Sequence, residues 1–536
     1  MSIDELERAV AEATGTVARI RARNAFATEL ARTGQARKAL PIARSAVAEV
    51  GASGDRQLAA ESLHALSRCH FYLLEFMPAL EILLDAAHAY GEAGDASGQA
   101  TALAGVGACQ LRVGALDEAA ATLLRALERA RQLPNPALEA NTLNSLASVM
   151  LAADRLGEAE GHLAAGIELA QRLADRNLLT KLLTNRSLLA RKQVAKGDEA
   201  LLPAGLAWAD EALALARELG NRYDEAYCLA QLGTMQRLAG RLADGAATLG
   251  TALALAVELD EPHLVAETEM ELGRVATAEA DLDAALRHTE ASAAAAARTR
   301  ERELQAEVLS ALSAVHEQRG ELAAALAAYK RFHALREREL EATRSQAARA
   351  SQLWLDFERA ERDAATYRAA ALAAEQASQR DPLTGLLNRR GLEAGIQALL
   401  AAVTSPVAVA LIDVDHFKDI NDLHSHAVGD AVLVRIATTI RDHARTGDLA
   451  VRLGGDEFAL VLTNVNQAES LRAAERIGAA VQATRWLEVA PALDVSVSIG
   501  VACHVPGSEF ATTLAAADHA LYAAKAGGRA RVTAAG

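Results

Sequence analysis

Residues 444–462 read ARTGDLAVRLGGDEFALVL, with two apolar runs flanking Gly454, Gly455, Asp456 and Glu457. Gly-Gly between short apolar runs predicts a tight hairpin, because glycine takes positive φ without steric cost. Two adjacent carboxylates at such a turn have no evident packing role. A second pair, Asp413 and Asp415, ends the apolar β-type run PVAVALIDVDHF (406–417). Loops just past a buried strand are where sites are commonly built. If that strand lies beside the hairpin, Asp413 faces Asp456 and Glu457, and acids so close repel one another unless a cation sits between them. Hard oxygen ligands from few side chains, completed by substrate phosphates, are the usual Mg²⁺ arrangement. Surface acids in two unrelated turns are the bland alternative.

The elements around this cluster are mostly helical. The chain has 536 residues, 51% hydrophobic but only 3% aromatic, and it is rich in alanine. Such a composition favours closely packed helices over a large β-core. A net charge of −15 offers no general basic surface for nucleic acid. Cys69, Cys109, Cys228 and Cys503 are far apart and form no metal or disulfide spacing. The opening MSIDELERAVAEATG carries early acids, unlike a signal peptide. No apolar run approaches the ~18 residues of a transmembrane helix. A cytoplasmic protein without membrane partners is expected.

A period of 40 residues runs through the first two-thirds. Small residues recur at Ala27, Ser67, Gly107, Ala147 and Ser187, then, after six extra residues near GDEALLPAG, at Gly233, Gly273 and Ser313. Twelve positions on stand Ala39, Ala79, Ala119, Ala159, Gly245, Ala285 and Ala325; sixteen on from Gly107 and Gly233 stand Leu123 and Leu249. Small residues at fixed spacing let antiparallel helices approach closely. The pattern resembles tetratricopeptide repeats in a version longer than the ~34-residue standard unit, and a HEAT-like array predicts nearly the same architecture. Either is a solenoid with a concave groove, expected to bind an unidentified peptide or protein partner; a spacer or dimerisation scaffold is the alternative.

From Leu340 to Ser378 the repeat stops. Ala350, Leu353, Phe357, Ala360, Ala364, Tyr367, Ala371 and Ala374 alternate steps of three and four, a heptad seam on one helix. A dimer stalk is expected, against the alternative of an amphipathic helix packed on its own domain. Asp381-Pro382 ends it.

After Pro382 the motifs resemble the diguanylate cyclases, which make cyclic di-GMP from two GTP. GGDEF stands intact at 454–458; DPLTGLLNRRGL (381–392), LIDVDHFKDINDLHSHAVGD (411–430), VSVSIGVA (495–502) and ADHALYAAKAGGRARV (517–532) follow the family's order. The resemblance implies an α+β nucleotidyl-cyclase-like domain and two Mg²⁺ (or Mn²⁺) per active site. Asp413, Asp456, Glu457 and the carbonyl of Val414 would hold the metals. Glu457 would also stand near the nucleophile, and which group accepts its proton is left open. Asn421 and Asp430 match the guanine readers, and Lys418, Lys525 and Arg529 the phosphate cations. Phe417, His426, Gly454 and Gly455 match other residues around the nucleotide. Arg445 and Asp448, in RTGD, with Arg476 match a product-inhibition site. Three positions depart from the family: Ser425 stands for a usual Gly, Leu453 for Tyr and Ala530 for Asn.

The expected fold is therefore multidomain: an all-α helical-repeat solenoid (1–338), a coiled-coil signalling helix (339–379) and an α+β GGDEF cyclase domain (380–536). The expected function is a homodimeric, magnesium-dependent diguanylate cyclase of bacterial signal transduction, regulated through the repeats and inhibited by its product. A catalytically weak or silent cyclic di-GMP receptor acting through protein partners is the alternative.

Overall fold

The computed structural model describes residues 2–51, 54–299, 301–402 and 406–536. Contacts divide the chain into two units, Met1–Glu361 and Arg362–Gly536. The first unit begins with α1 (Ile3–Glu12), α2 (Thr16–Leu30), α3 (Ala36–Val50), α4 (Arg56–Tyr72), α5 (Phe76–Ala93), α6 (Ala96–Arg112), α7 (Leu116–Arg131) and α8 (Pro136–Ala152). It continues through α9 (Leu156–Arg172), α10 (Arg176–Ala195), α11 (Leu202–Glu218), α12 (Arg222–Leu238), α13 (Leu242–Glu258), α14 (Pro262–Ala278), α15 (Leu282–Ala296) and α16 (Arg302–Gln318).

From α2 onward these helices pack as successive antiparallel hairpins, each against the next. The small residues sit where the two helices of a hairpin meet. A β-carbon on Gly107 would lie 2.5 Å from Leu123 Cγ, and one on Gly233 would lie 2.7 Å from Leu249 Cγ. Ser313 Oγ donates to the Ala325 carbonyl at 3.0 Å. In the fifth hairpin Ser187 Oγ donates instead to the Gly205 carbonyl at 3.1 Å. Gly205 escapes the twelve-residue rule because α10 runs on to Ala195 and a 3₁₀ turn (Glu199–Leu201) follows it.

The hairpin turns share one conformation. Gly34, Gly114, Gly240 and Gly320 have φ between +72° and +82°, and Leu74, Asp154 and Ala280 take φ of 60–61° at the equivalent place. Left-handed backbone costs a residue bearing a β-carbon about 1–2 kcal/mol. Only four of these seven turns carry the residue their geometry favours.

The first unit ends within α17 (Leu322–Ser378), a single helix of 57 residues. Its heptad seam is divided. Ala350 and Phe357, with the neighbouring Trp354, are buried in one apolar cluster with residues of α5 and α6, whereas Tyr367, Ala371 and Ala374 are exposed. The packing of an amphipathic helix on its own domain therefore holds for the first half of the seam, because the aromatic pair finds an apolar channel in the repeats. Among the described residues no helix is long and apolar enough to cross a membrane.

In the second unit a five-stranded sheet has the order β2-β3-β1-β4-β5, with β1 (Val407–Val414), β2 (Leu449–Gly454), β3 (Glu457–Thr463), β4 (Val497–Cys503) and β5 (Val532–Ala534). All pairs are antiparallel except β4 with β5. Every residue of β1 is buried, as its unbroken apolar run requires. Ala408, Ala410 and Ile412 face the core built by α20 (His426–His443) and α21 (Gln467–Gln482). Val409 and Leu411 face the opposite core, built by α18 (Arg389–Ala402) and α22 (Phe510–Ala526). The short α19 (Phe417–His424) follows β1.

If the left-handed turns limit the stability of the repeats, Ala280→Gly should stabilise the unit and Gly240→Ala should destabilise it, each by about 1 kcal/mol, raising and lowering the thermal midpoint respectively. Circular dichroism melting reads both, and unchanged midpoints would contradict this account of the turns.

Candidate functional site

The site is built on the end of β1. In the antiparallel register Asp413 lies opposite Glu457 on β3 and opposite Ser498 on β4. The next residue fixes the turn: Val414 N donates to the Asp456 carbonyl at 3.3 Å. Period-two alternation carries Asp413 onto the α22 face of the sheet. There α22 lies hard against β4 at Gly500, where a β-carbon would stand 2.2 Å from the Ala517 carbonyl oxygen and Leu521 N. One turn further along α22, Lys525 Nζ reaches Asp413 Oδ2 at 2.6 Å.

This pairing balances only part of the local charge. Asp413 is buried, and burial pushes its carboxyl above the ordinary aspartate value; Lys525 opposes that shift, while Asp456 and Glu457 add to it. Asp456 is half-buried and Glu457 exposed. Among the described residues no three acidic, histidine or cysteine side chains form a metal cage by themselves. A buried carboxylate facing two further acids, with one lysine among them, is nevertheless the hard-oxygen, charge-deficient donor set that suits Mg²⁺ completed by phosphate and water. The residues fit the ion.

Asp415 has a different task. Its carboxylate accepts from Ser496 Oγ at 2.7 Å, Ser498 Oγ at 2.6 Å and Ala530 N at 3.0 Å. It ties the end of β1 to the segment before β4 and to the closing loop, with three donors already on its two oxygens. Of the two carboxylates that end the strand, only Asp413 is turned to the acidic hairpin.

Gly454 and Gly455 have φ of +149° and +56°, with nothing within 4 Å of a β-carbon built on either. The visible reason for glycine is therefore backbone conformation, with open space above the turn. Arg452, two residues earlier, holds that turn: its Nε and Nη2 donate to the Gly455 carbonyl at 3.0 and 2.7 Å, and its Nη1 donates to both oxygens of Asp381 at 3.0 and 3.2 Å. Burial works against ionising Asp381, but hydrogen bonds from Thr384 and Arg452 hold its carboxyl below the ordinary value. The DPLTGLLN loop also bonds along β2, with Leu387 N donating to the Ala450 carbonyl and Arg452 N to the Leu387 carbonyl. Arg452 was not among the expected site residues, and Asp381 was expected as the end of the stalk and the start of the opening motif, without a role at the turn. An arginine beside the two glycines, and an aspartate in the opening motif, were the available signals.

The residues that match the family's nucleotide positions lie on α19, α20 and the closing loop. Asn421 Oδ1 fills the space above Gly429, where a β-carbon would meet it at 2.0 Å and Phe417 Cζ at 3.3 Å. Lys418, His426, Asp430 and Arg529 are exposed. Two of the three departures from the family pattern fall at special backbone. Ser425 has φ 121° and ψ 161°, a region nearly reserved for glycine. Ala530 has φ 48°, which asparagine tolerates better than alanine.

The residues matched to product inhibition are only partly joined. Asp448 accepts from the Arg445 backbone N at 2.8 Å and from Thr463 N at 2.9 Å, so it braces its own turn against β3. The Arg445 and Arg476 side chains are exposed.

Comparison with known proteins places this geometry. The family described as "Diguanylate cyclase, GGDEF domain" matches residues 378–531. Diguanylate cyclase DosC of Escherichia coli (strain K12) is 41% identical over 157 residues, 28% of this chain and 34% of the relative. Response regulator PleD of Caulobacter vibrioides is 38% identical over 155 residues, 28% of this chain and 34% of the relative. The match thus spans about a third of the length of these curated relatives. Among solved structures, the GGDEF domain of PA1120 (TpbB or YfiN) from Pseudomonas aeruginosa is 39% identical, covering 29% of this chain and 94% of that one at a TM-score of 0.28. Residues 378–531 thus form a GGDEF domain, similar in sequence to those of named diguanylate cyclases.

Proposed function

We propose that the chain is an active diguanylate cyclase, condensing two GTP into cyclic di-GMP and two pyrophosphates, regulated through its helical repeats. The observation that carries this reading is the β1–β3 register, which sets the buried Asp413 opposite Glu457 with Asp456 tied to Val414. In each half-reaction the 3′-hydroxyl of one GTP attacks the α-phosphate of the other, a P–O bond forms, and pyrophosphate leaves.

Asp413, Asp456 and Glu457, with the Val414 carbonyl, would hold the cations that bring the triphosphate. Two Mg²⁺ or Mn²⁺ would polarise the α-phosphate and lower the pKa of the attacking hydroxyl. Lys525, which lies on Asp413, has three donors and can serve a phosphate as well as the carboxylate. Lys418 and Arg529 offer further cations to the phosphates, Arg529 as a fork. Asn421 and Asp430 read guanine; a carboxylate accepts from guanine N1–H and the 2-amino group together, which adenine cannot offer. Phe417 and His426 complete the nucleotide's surroundings. Product binds at Arg445 and Asp448 with Arg476, where the arginines bring charge-assisted donors.

Ring closure needs two GTP-loaded sites facing each other in line, so the active species is a homodimer. Orientation of that kind accounts for several kcal/mol of barrier lowering. Control of how two copies meet is therefore control of rate.

With Mg²⁺ and GTP, the purified chain should form cyclic di-GMP. Asp456→Ala and Glu457→Ala should each reduce turnover more than tenfold while leaving the thermal midpoint within a degree or two, since both sit at a turn and pack little. Turnover above a tenth of wild type in either would contradict their assignment. Separately, Ser425→Gly should stabilise the cyclase domain by about 1 kcal/mol and so raise its midpoint, because it relieves a glycine-type backbone. A lower midpoint would show that the serine side chain supports the α19–α20 turn.

A further inference from the structure

The first unit holds a contact that the cyclase reading leaves unused. Residues 343–361 of α17 lie along the channel between α5 and α7. Ala350, Trp354 and Phe357 are 0%, 5% and 9% exposed, in one cluster with Leu80, Leu83 and Leu84 of α5 and with Val113 and Ala115 before α7. Trp354 and Phe357 stack with ring centroids 5.5 Å apart. The Arg125 guanidinium of α7 lies 5.1 Å from the Trp354 ring centre and donates to Glu358 at 2.7 Å.

Polar contacts flank the apolar stripe on both sides. Arg349 pairs with Glu81 of α5, Ser351 donates to Glu118 of α7, and His88 of α5 lies 3.4 Å from Glu361. Where this segment begins, Thr343 packs against Gly114.

Ala350, Leu353 and Phe357 are also positions of the heptad seam that continues through Ala364, Tyr367, Ala371 and Ala374. In the docked helix the first three are turned to the repeats, Leu353 only partly buried, while Tyr367 is 75% exposed. One face cannot pack against α5 and α7 and against a second helix at once. Beside the strap, Arg129 Nη1 of α7 is buried without a hydrogen-bond partner among the described residues, and the Glu361 carboxylate favours that arginine's charged form.

We propose that residues 343–361 form a displaceable strap, and that the α5–α7 channel and the same segment of a second copy compete for its seam. Docked, the strap withholds the first half of the heptad seam from a parallel dimer. Released, Ala350, Leu353 and Phe357 join Ala364 and Tyr367 in one continuous interface with the second copy. A ligand that loosens the strap's hold on the repeats would thereby favour the dimer. The effect on turnover rests on the cyclase reading above; the exchange of partners does not.

The test uses the full chain in two forms. Gly114→Cys with Thr343→Cys, in a Cys503→Ser background, puts sulfurs on β-carbons 3.9 Å apart, within the range of about 3.5–4.5 Å that a disulfide needs. Oxidised, this variant should sediment as a monomer at concentrations where its reduced form, its own folding control, dimerises. Arg125→Glu with Glu81→Arg breaks the clasp on the repeat side and leaves the seam intact. It should speed amide exchange across 343–361 and tighten self-association at least tenfold. Dimerisation of the oxidised variant equal to that of its reduced form, or unchanged exchange and association in the clasp variant, would overturn the strap. Tighter association with no rise in cyclic di-GMP synthesis would support the strap and count against the cyclase reading.

Discussion

An aspartate at the end of a wholly buried strand is the constraint on which the cyclase unit depends. β1 is covered on both faces and paired on both edges, so Asp413 has no freedom to turn toward solvent as an ordinary strand-end acid would. Its register is fixed by the alternation of Val409 and Leu411 toward one core and Ala408, Ala410 and Ile412 toward the other. A slip of one residue would exchange the two faces. That register sets Asp413 against Glu457, and α22, held close by Gly500, supplies the single lysine in direct contact. Asp456 and Glu457 leave negative charge that Lys525 alone does not balance, beside the open space over Gly454 and Gly455. Arg452 and Asp381 then hold the turn in place, which links the loop that follows α17 to the hairpin that carries the acids.

The repeats solve a different problem with the same economy. With so few aromatic residues, the helices gain contact by close approach: at Gly107, Ser187, Gly233 and Ser313 a small residue meets a backbone carbonyl or a leucine of the partner helix. The aromatic residues that the repeats do have are unevenly used. Trp354 and Phe357 are spent on holding α17 against α5 and α7, at the segment whose seam would otherwise pair two copies.

Much of this was legible in the residues because it depends on local rules. Glycine doublets, an apolar run ending in acids and a fixed small-residue period each report backbone or packing needs that recur wherever the geometry recurs. What escaped depends on tertiary partners. Asp415 reads like Asp413 until Ser496, Ser498 and the Ala530 amide are seen to donate to it. Gly205 falls outside the period because an insertion displaces it. The heptad at 350–374 is a sound pattern, but periodicity says only that one face is apolar; Trp354, one position off the seam, decides that half of that face turns to the repeats. Serine at 425 is visible in sequence as a departure from a usual glycine, but its cost appears only with its φ and ψ.

The account stands or falls on whether Asp413 is a metal-holding carboxylate or merely the partner of Lys525. Electron paramagnetic resonance of Mn²⁺ with the full chain and a non-hydrolysable GTP analogue addresses this directly. It should find two bound Mn²⁺ per chain in the wild type and at least tenfold weaker binding in Asp413→Asn. Equal Mn²⁺ binding by the two proteins, or analogue bound without any Mn²⁺, would contradict it.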